Sequence, residues 1–344
     1  MTDIVTGANG FVGNVLVREL VKQNKKVKAF VRSTSDISSL ENLNIDILKG
    51  DILDYDSLLK AFRGIETVYH VAGKVFLMPG YNEITDSVNY HAVNNVIKAC
   101  FKCGVKKLIY TSTIHAFKEP DLGTAVDETM PYCPESPRSI YDRSKAKASL
   151  AVKQASKEGL FCVILNPTGV LGPYDFSISA MTQTFIDFAH GKLKLAVNGA
   201  YDFVDVRDVA LGHIAASEKG KNGESYILSG ERVTIAGMMK MLEQTTGVKA
   251  PDIFLPLKVG KAIACVMPIY YWISRKTPCF TKYTVDTLCS NSYILNYKAR
   301  KELGYSPRPI VESVRDTIDW LVEMNYITQF KISTENKNLD IKTS

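Results

Sequence analysis

The chain has 344 residues, 46% of them hydrophobic and 23% charged, the balance of an ordinary soluble protein able to bury a large core in one domain or two joined ones. Its formal charge of +6 is partly carried by the polar C-terminal run "KISTENKNLDIKTS". No dense Lys/Arg block or aromatic–basic interleaving occurs, which argues against a nucleic-acid partner.

The N-terminus runs straight into a strand pattern, "DIVTG", with no charged region followed by an apolar run, so no secretory signal is expected. "FVGNVLVRELVKQN" repeats its apolar residues at helical spacing, and "VKAFVR" reads as the second strand. "IDILKGD", "ETVYHVAG", "KKLIYTST" and "FCVILNP" read as the third to sixth strands. Strands alternating with helices imply right-handed crossovers and a parallel sheet covered on both faces. After Pro167 the rhythm changes. "GVLGPYDFSIS" reads as a loop, "AMTQTFIDFAHGK" as a helix, "YDFVDVRDVALGHIAASE" as strand then helix, and "ESYILSG" as a strand. "TIAGMMKMLEQTTG" is a helix capped by Thr234, and "PIVESVRDTIDWLVE" an amphipathic helix. The domain organisation expected is a dinucleotide-binding unit over 1–165, joined again by 201–230. A substrate-binding region over 166–200 and 231–328 interleaves with it, and 329–344 forms a polar tail.

The seven Cys are scattered, which fits reduced thiols in the cytoplasm. Cys100 and Cys103 lie at helical spacing and read as packing residues, with no second ligand pair for zinc. His70 and His115 read as packing or hydrogen-bonding residues, and no metal is expected. The most apolar run, "IFLPLKVGKAIACVMPIYYW", is broken by Lys258, Lys261, Pro256 and Pro268. It is too interrupted to span a membrane and reads first as a substrate lid or pocket wall, second as a segment lying on a membrane surface.

Two motifs carry chemistry. "VTGANGFVG" places Gly7, Gly10 and Gly13 between the first strand and first helix. Such glycines allow a tight turn and close backbone approach to a pyrophosphate at the helix N-terminus. "SIYDRSKAKA" puts Tyr141 and Lys145 four residues apart, on one helix face. An ammonium there would lower the phenol's pKa toward a value useful for proton transfer.

With these motifs in register the chain resembles the extended short-chain dehydrogenase/reductase family, also described as the NAD-dependent epimerase/dehydratase superfamily. Within it, the likeness is to the branch of dihydroflavonol-4-reductase-like, 3β-hydroxysteroid-dehydrogenase-like and hopanoid-associated sugar-epimerase-like proteins. The likeness runs from Thr6 to about Glu323. It rests on "TGANGFVG", "GDI", "HVAG", "VNYHAVNN", "YTST", "YDRSK", "NPTGVLGP" and "FVDVRDVA". The resemblance implies an α/β Rossmann fold, a doubly wound parallel sheet with an interleaved smaller C-terminal substrate-binding region. It implies cofactor contacts from Gly7, Asn9, Gly10, Phe11, Val12, Gly13, Asp51 and Ile52. Further contacts would come from Val71, Ala72, Gly73, Asn89, Asn166, Pro167, Thr168 and Val170, and from Tyr141 and Lys145. Tyr141 would be the general acid or base, Lys145 its electrostatic partner and the ribose holder, and Thr113 the hydroxyl that positions the substrate oxygen. Ser112 is a second candidate for that hydroxyl.

Arg32 ends the second strand, "VKAFVR", where NAD-selective folds usually place an acid. A guanidinium there can pair with a 2′-phosphate, so NADP is expected, with NAD possible. Asp36 competes for the ribose, but its position suits it to cap the helix that follows. Sugar epimerases of the family usually have Arg where Tyr201 and Asn166 stand here, and an R-x-G-D near the C-terminus that this chain lacks. That departure favours a less charged carbonyl or alcohol substrate. A nucleotide-sugar epimerase or dehydratase is the alternative, and a non-catalytic NADP sensor the third reading. A cytoplasmic homodimer is expected, paired through the YxxxK helix and the long helix before it.

Overall fold

The computed structural model describes residues 2–121, 123–274, 279–290 and 292–328; the expected polar tail lies outside the described residues. The strands are β1 (Thr2–Thr6), β2 (Lys26–Val31), β3 (Asp46–Lys49), β4 (Thr67–His70), β5 (Lys107–Thr111), β6 (Phe161–Pro167), β7 (Gly169–Leu171), β8 (Leu195–Val197), β9 (Ala200–Asp205), β10 (Ser225–Leu228), β11 (Glu231–Thr234) and β12 (Ile253–Leu255). The α-helices are α1 (Phe11–Lys22), α2 (Tyr55–Ala61), α3 (Glu83–Asp86), α4 (Ala92–Cys103), α5 (Ile140–Lys157), α6 (Ala180–Ala189), α7 (Val206–Lys219), α8 (Ile235–Thr246), α9 (Leu257–Ser274), α10 (Lys282–Cys289), α11 (Tyr297–Leu303) and α12 (Ile310–Glu323).

Seven parallel strands form the main sheet in the order β10-β6-β5-β4-β1-β2-β3. Side chains alternate across it with a period of two. Val5, Tyr69, Ile109 and Val163 enter one core with α1 and α7, while Ile4, Val68, Leu108 and Cys162 enter the other with α2, α4 and α5. Burial on both faces explains why these strands read as continuous apolar runs. Strand order reverses between β1 and β4, which opens a crevice at their C-terminal ends. The sheet's β10 border is held by side chains: Ile227 N–H donates to Glu128 Oε1 at 2.7 Å, and Lys298 Nζ donates to the Ser225 carbonyl at 2.9 Å.

The second half interleaves with the first. α7 packs on α1, and β10 completes the main sheet. β9, in contrast, joins a separate small sheet in the order β11-β9-β7. β7 lies in the stretch read as a loop. Its three residues pair with Gly169 opposite Phe203, where an added Cβ would lie 3.0 Å from the rings of Phe203 and Tyr201. Three residues are too few to show a period, and their strand character comes from β9.

Candidate active site

The turn after β1 is built on glycines. Gly7 has a φ of +69°, and a Cβ on it would stand 2.7 Å from Ala72 Cα, at the end of β4. A Cβ on Gly13 would stand 2.2 Å from the Gly7 carbonyl oxygen. The Gly10 N–H closes the turn onto Gly7 O at 2.9 Å, and Asn14 N–H reaches Gly10 O at 2.8 Å. Gly10 caps α1 without a side chain, and the first turn of α1 holds no acidic residue. Its N-terminal amides and dipole thus suit an anion. Phe11 and Val12 pack their side chains against the core below. Asn9 Nδ2 reaches the Asp36 carbonyl at 3.5 Å and ties this turn to the loop after β2.

Arg32 is the first residue of that loop and is exposed. Among the described residues no carboxylate forms an ion pair with it. Asp36 accepts from Ser38 N–H at 2.9 Å, but the N-cap of the one-turn helix Ser38–Leu40 is Ile37, so Asp36 stands one residue before the cap position expected of it. Asp51 accepts from Leu53 N–H at 2.9 Å, beside the buried Ile52.

Tyr141 and Lys145 lie in the first turns of α5, which Ser139 caps by accepting from Asp142 N–H at 3.0 Å. The buried Lys145 Nζ donates to the Thr111 carbonyl at 2.8 Å, 5.0 Å from the centroid of the Tyr110 ring. Thr113 follows β5. Its Oγ1 accepts from His115 N–H at 3.3 Å, and its side chain stands near enough to the Tyr141 phenol to pull that group's pKa down. Ser112 turns away, with its Oγ 2.6 Å from Ser149 Oγ inside the α5 packing, so geometry separates the two candidate hydroxyls. Val71, Ala72 and Gly73 leave β4 between the glycine turn and α5. Asn89 fixes this segment: Oδ1 accepts from Lys74 N–H at 2.8 Å, and Nδ2 donates to Lys74 O at 2.9 Å and Ser144 Oγ at 3.2 Å. A Cβ on Gly73 would lie 3.2 Å from Lys145 Nζ.

The phenol does not behave as the spacing alone suggests. Burial pushes the Tyr141 pKa up; the Thr113 side chain pulls it back, and the Asp142 carboxylate adds to the rise. Burial also pulls the Lys145 ammonium from 10.5 to about 7. Between those values the unfolded chain holds the extra proton, so raising the pH stabilises the fold across that window. The buried histidines 70, 115 and 213 are pushed to about 3, 3 and 4, and titrate below it. Wild-type melting temperature is therefore expected to rise between about pH 7 and about pH 9 relative to Lys145→Met. Parallel pH profiles for the two proteins would reject the assignment.

Asn166 and Pro167 end β6. Asn166 is fully buried and its Oδ1 accepts from Tyr132 OH at 3.5 Å, but its Nδ2 has no partner among the described residues. Thr168 donates to Asp202 Oδ1 at 2.6 Å, and Gly230 N–H donates to the same oxygen at 3.0 Å. That hydroxyl therefore anchors the small sheet. Val170 packs its side chain against the core. The glycine cradle, the uncapped amides of α1 and the unpartnered Asn166 amide fit a dinucleotide lying across the crevice.

The substrate side was less visible in the sequence. Tyr201 OH lies 2.8 Å from His115 Nε2, with the rings stacked at 5.7 Å. Tyr283 of α10 donates to Asp142 Oδ1 at 2.8 Å, next to Tyr141. Tyr283 belongs to no motif, so only the fold brings it here. Arg138 pairs with Glu119 at 2.7 Å and approaches Asp142 at 3.5 Å. Ile114, His115, Phe117, Arg138, Tyr201 and Ile294 line a cavity of about 260 Å³, and Ile114 directly follows Thr113 in the chain. A larger cavity of about 500 Å³, lined by Arg232, Thr234, Leu257 and Leu288, shares Ser290 with it. His70 bonds to Thr6 Oγ1 at 2.8 Å, and Cys100 is buried in the core. Among the described residues no group of three or more His, Cys, Asp or Glu is placed to hold a metal ion.

Comparison with known proteins agrees with this architecture. Residues 4–233 match the model of the 3-beta hydroxysteroid dehydrogenase/isomerase family. Sterol demethylase protein B of Methylococcus capsulatus is 33% identical over 95% of this chain and 100% of its own length. A putative dihydroflavonol 4-reductase of Synechocystis is 30% identical over 94% of this chain and 95% of its own. The solved structure of gox2253 is 33% identical, covers 95% of this chain and 99% of its own, and has a TM-score of 0.83. The chain belongs to the 3-beta hydroxysteroid dehydrogenase/isomerase family, and is an NAD(P)-dependent oxidoreductase built on the extended short-chain dehydrogenase/reductase fold.

Proposed function

We propose that this protein is an NADP(H)-preferring oxidoreductase acting in the cytoplasm on the carbonyl or secondary alcohol of an apolar small molecule. The observation that carries this reading is the Lys145 Nζ bonded to the Thr111 carbonyl at 2.8 Å, one turn along α5 from Tyr141, with Thr113 near that phenol and a cavity opening from the adjoining Ile114 and His115. Residues 1–165 with 201–230 hold the cofactor, and 166–200 with 231–328 build the substrate side. The nicotinamide, when bound, supplies or accepts the hydride. Thr113 holds the substrate oxygen. Tyr141 gives its phenolic proton to that oxygen in reduction and takes it back in oxidation. Lys145 stabilises the phenolate left behind and holds the ribose, which the protonated amine does best. The expected homodimer would use α4 and α5, which pack side by side with Phe101 and Leu150 exposed.

Thr113→Ser is expected to keep activity, whereas Thr113→Val should lose about 100-fold in kcat/KM, since only the hydroxyl can donate. Equal activity in the two variants would remove Thr113 from this role. Arg32→Ala should lower the NADPH-over-NADH ratio of kcat/KM by about tenfold or more, the worth of a charge-assisted bond. An unmoved ratio, or a wild type that prefers NADH, would contradict the assignment.

A second reading, nucleotide-sugar epimerisation, draws support from Arg232 in the larger cavity. Its Nε donates to Ser292 Oγ at 2.7 Å. Against it, Tyr201 stands bonded to His115 at the position of the family's diphosphate-clamping arginine. The deciding experiment is a panel of sterol-like and flavonoid ketones, aldehydes and UDP-sugars, with NADPH consumption and epimer formation followed in parallel. Epimer formation without net NADPH consumption would select the second reading. NADPH binding without turnover on any substrate would favour a sensor.

A further inference from the structure

α9 carries two apolar stripes at helical spacing, and only one has a place to go. Gly260, Ala264 and Tyr271 form the buried stripe. Gly260 lies against Val197, where an added Cβ would stand 2.8 Å from its side chain, and Tyr271 OH accepts from Phe280 N–H at 2.9 Å. The second stripe, Val259, Ile263, Val266, Tyr270 and Ile273, follows steps of four, three, four and three. All five side chains are exposed, as are Ile269 and Trp272 beside them, with Trp272 at 82%. A helix apolar all round is normally buried all round, so the outer face of α9 lacks the environment its residues require.

The charge pattern selects the occupant. The described residues 253–274 and 279–289 hold Lys258, Lys261 and Lys282 against one acid, Asp286. Asp286 already lies 2.9 Å from Lys261 and 3.6 Å from Lys282. A second copy docked through this face would bring two basic sets together. An anionic lipid surface attracts them instead, while Tyr270 and Trp272 suit the boundary between headgroups and acyl chains. Eighteen residues of helix span about 27 Å and are interrupted by Pro268. No described helix is long and apolar enough to cross a membrane, so α9 must lie along the surface.

We propose that α9 is a docking helix that seats this protein on an anionic bilayer through Val259, Ile263, Val266, Ile269, Tyr270 and Ile273. α9 packs on α10, whose Tyr283 reaches Asp142 beside Tyr141, and its first residue, Leu257, lines the larger cavity. Docking thus places the mouth of the substrate side next to the acyl region, where an apolar alcohol or ketone dissolves.

The full-length protein is sedimented with vesicles of phosphatidylcholine alone and with about a quarter phosphatidylglycerol. Binding to the anionic vesicles that weakens with salt is expected. The double variant Ile269→Glu/Ile273→Glu should bind about tenfold or more weakly, with melting temperature and NADPH affinity unchanged. Both readouts are independent of turnover, so a wrong substrate class would not affect them. A wild type that binds neither vesicle, binding indifferent to phosphatidylglycerol, or a variant that binds like wild type would overturn the proposal. So would a dimer, seen by light scattering, that the variant dissociates without any vesicle binding.

Discussion

Tyr141→Phe is expected to lower kcat by about 100-fold or more while leaving NADPH affinity within about twofold. The substitution removes one oxygen and keeps the ring, so the half-buried packing at the start of α5 is retained. The Ser139 cap and the Lys145–Thr111 bond do not depend on that oxygen. What disappears is the hydroxyl proposed to pass a proton to the substrate oxygen, near the Thr113 side chain that pulls its pKa down. A phenol is protonated at neutral pH, as an acid for carbonyl reduction must be, and burial moves Tyr141 further in that direction. Retention of more than about a tenth of wild-type kcat would end the assignment, since a positioned acid–base group contributes at least ~10²-fold. A parallel loss of NADPH affinity would point to a packing defect instead.

The second large effect is expected at Gly13. An added methyl would stand 2.2 Å from Gly7 O, 2.9 Å from Gly7 C and 3.0 Å from Ala8 Cα. All three are backbone atoms, so no side chain can swing aside. Gly13→Ala must push α1 away from the turn and open the cradle at the helix N-terminus. Overpacking of this kind costs about 1–3 kcal/mol of stability, and NADPH affinity should fall about tenfold or more as the amides lose their alignment. Gly104→Ala is the control. Gly104 has a φ of +66° at the C-terminus of α4, with nothing within 4 Å of an added Cβ. It should lose about 1 kcal/mol through backbone strain alone and leave NADPH affinity untouched. If Gly13→Ala binds NADPH as Gly104→Ala does, the turn is not the pyrophosphate cradle.

The parts legible in the sequence were those fixed by local chemistry. A glycine turn between a strand and a helix, apolar runs of strand length and a Tyr four residues before a Lys each carry their meaning in a few adjacent residues. The Rossmann sheet followed from such pieces because crossover handedness restricts how they can join. The substrate side was hidden because it is assembled across the chain. Tyr201 was noticed only as a missing arginine, and its bond to His115 spans 86 positions. Tyr283 meets Asp142 across 141 positions, with no pattern to announce it. β7 owes its strand character to β9. The Tyr141 pKa departs from the spacing argument for a similar reason: spacing brings Lys145 near, but burial, which only the fold determines, is the largest influence and raises it.

The way the main sheet ends bears on how this protein survives at high concentration. An open strand edge invites another chain to add itself, and that is the first step toward β-linked aggregates. At β10 the invitation is withdrawn, because the amide of Ile227 and the carbonyl of Ser225 are already taken by Glu128 and Lys298. At the other border β3 has only four residues, with the charged Asp46 and Lys49 exposed at its two ends. A partner strand would have to displace two charged side chains at one border, or seat itself between opposite charges on a strip about 13 Å long at the other. Strand addition at either border of the main sheet is thereby disfavoured.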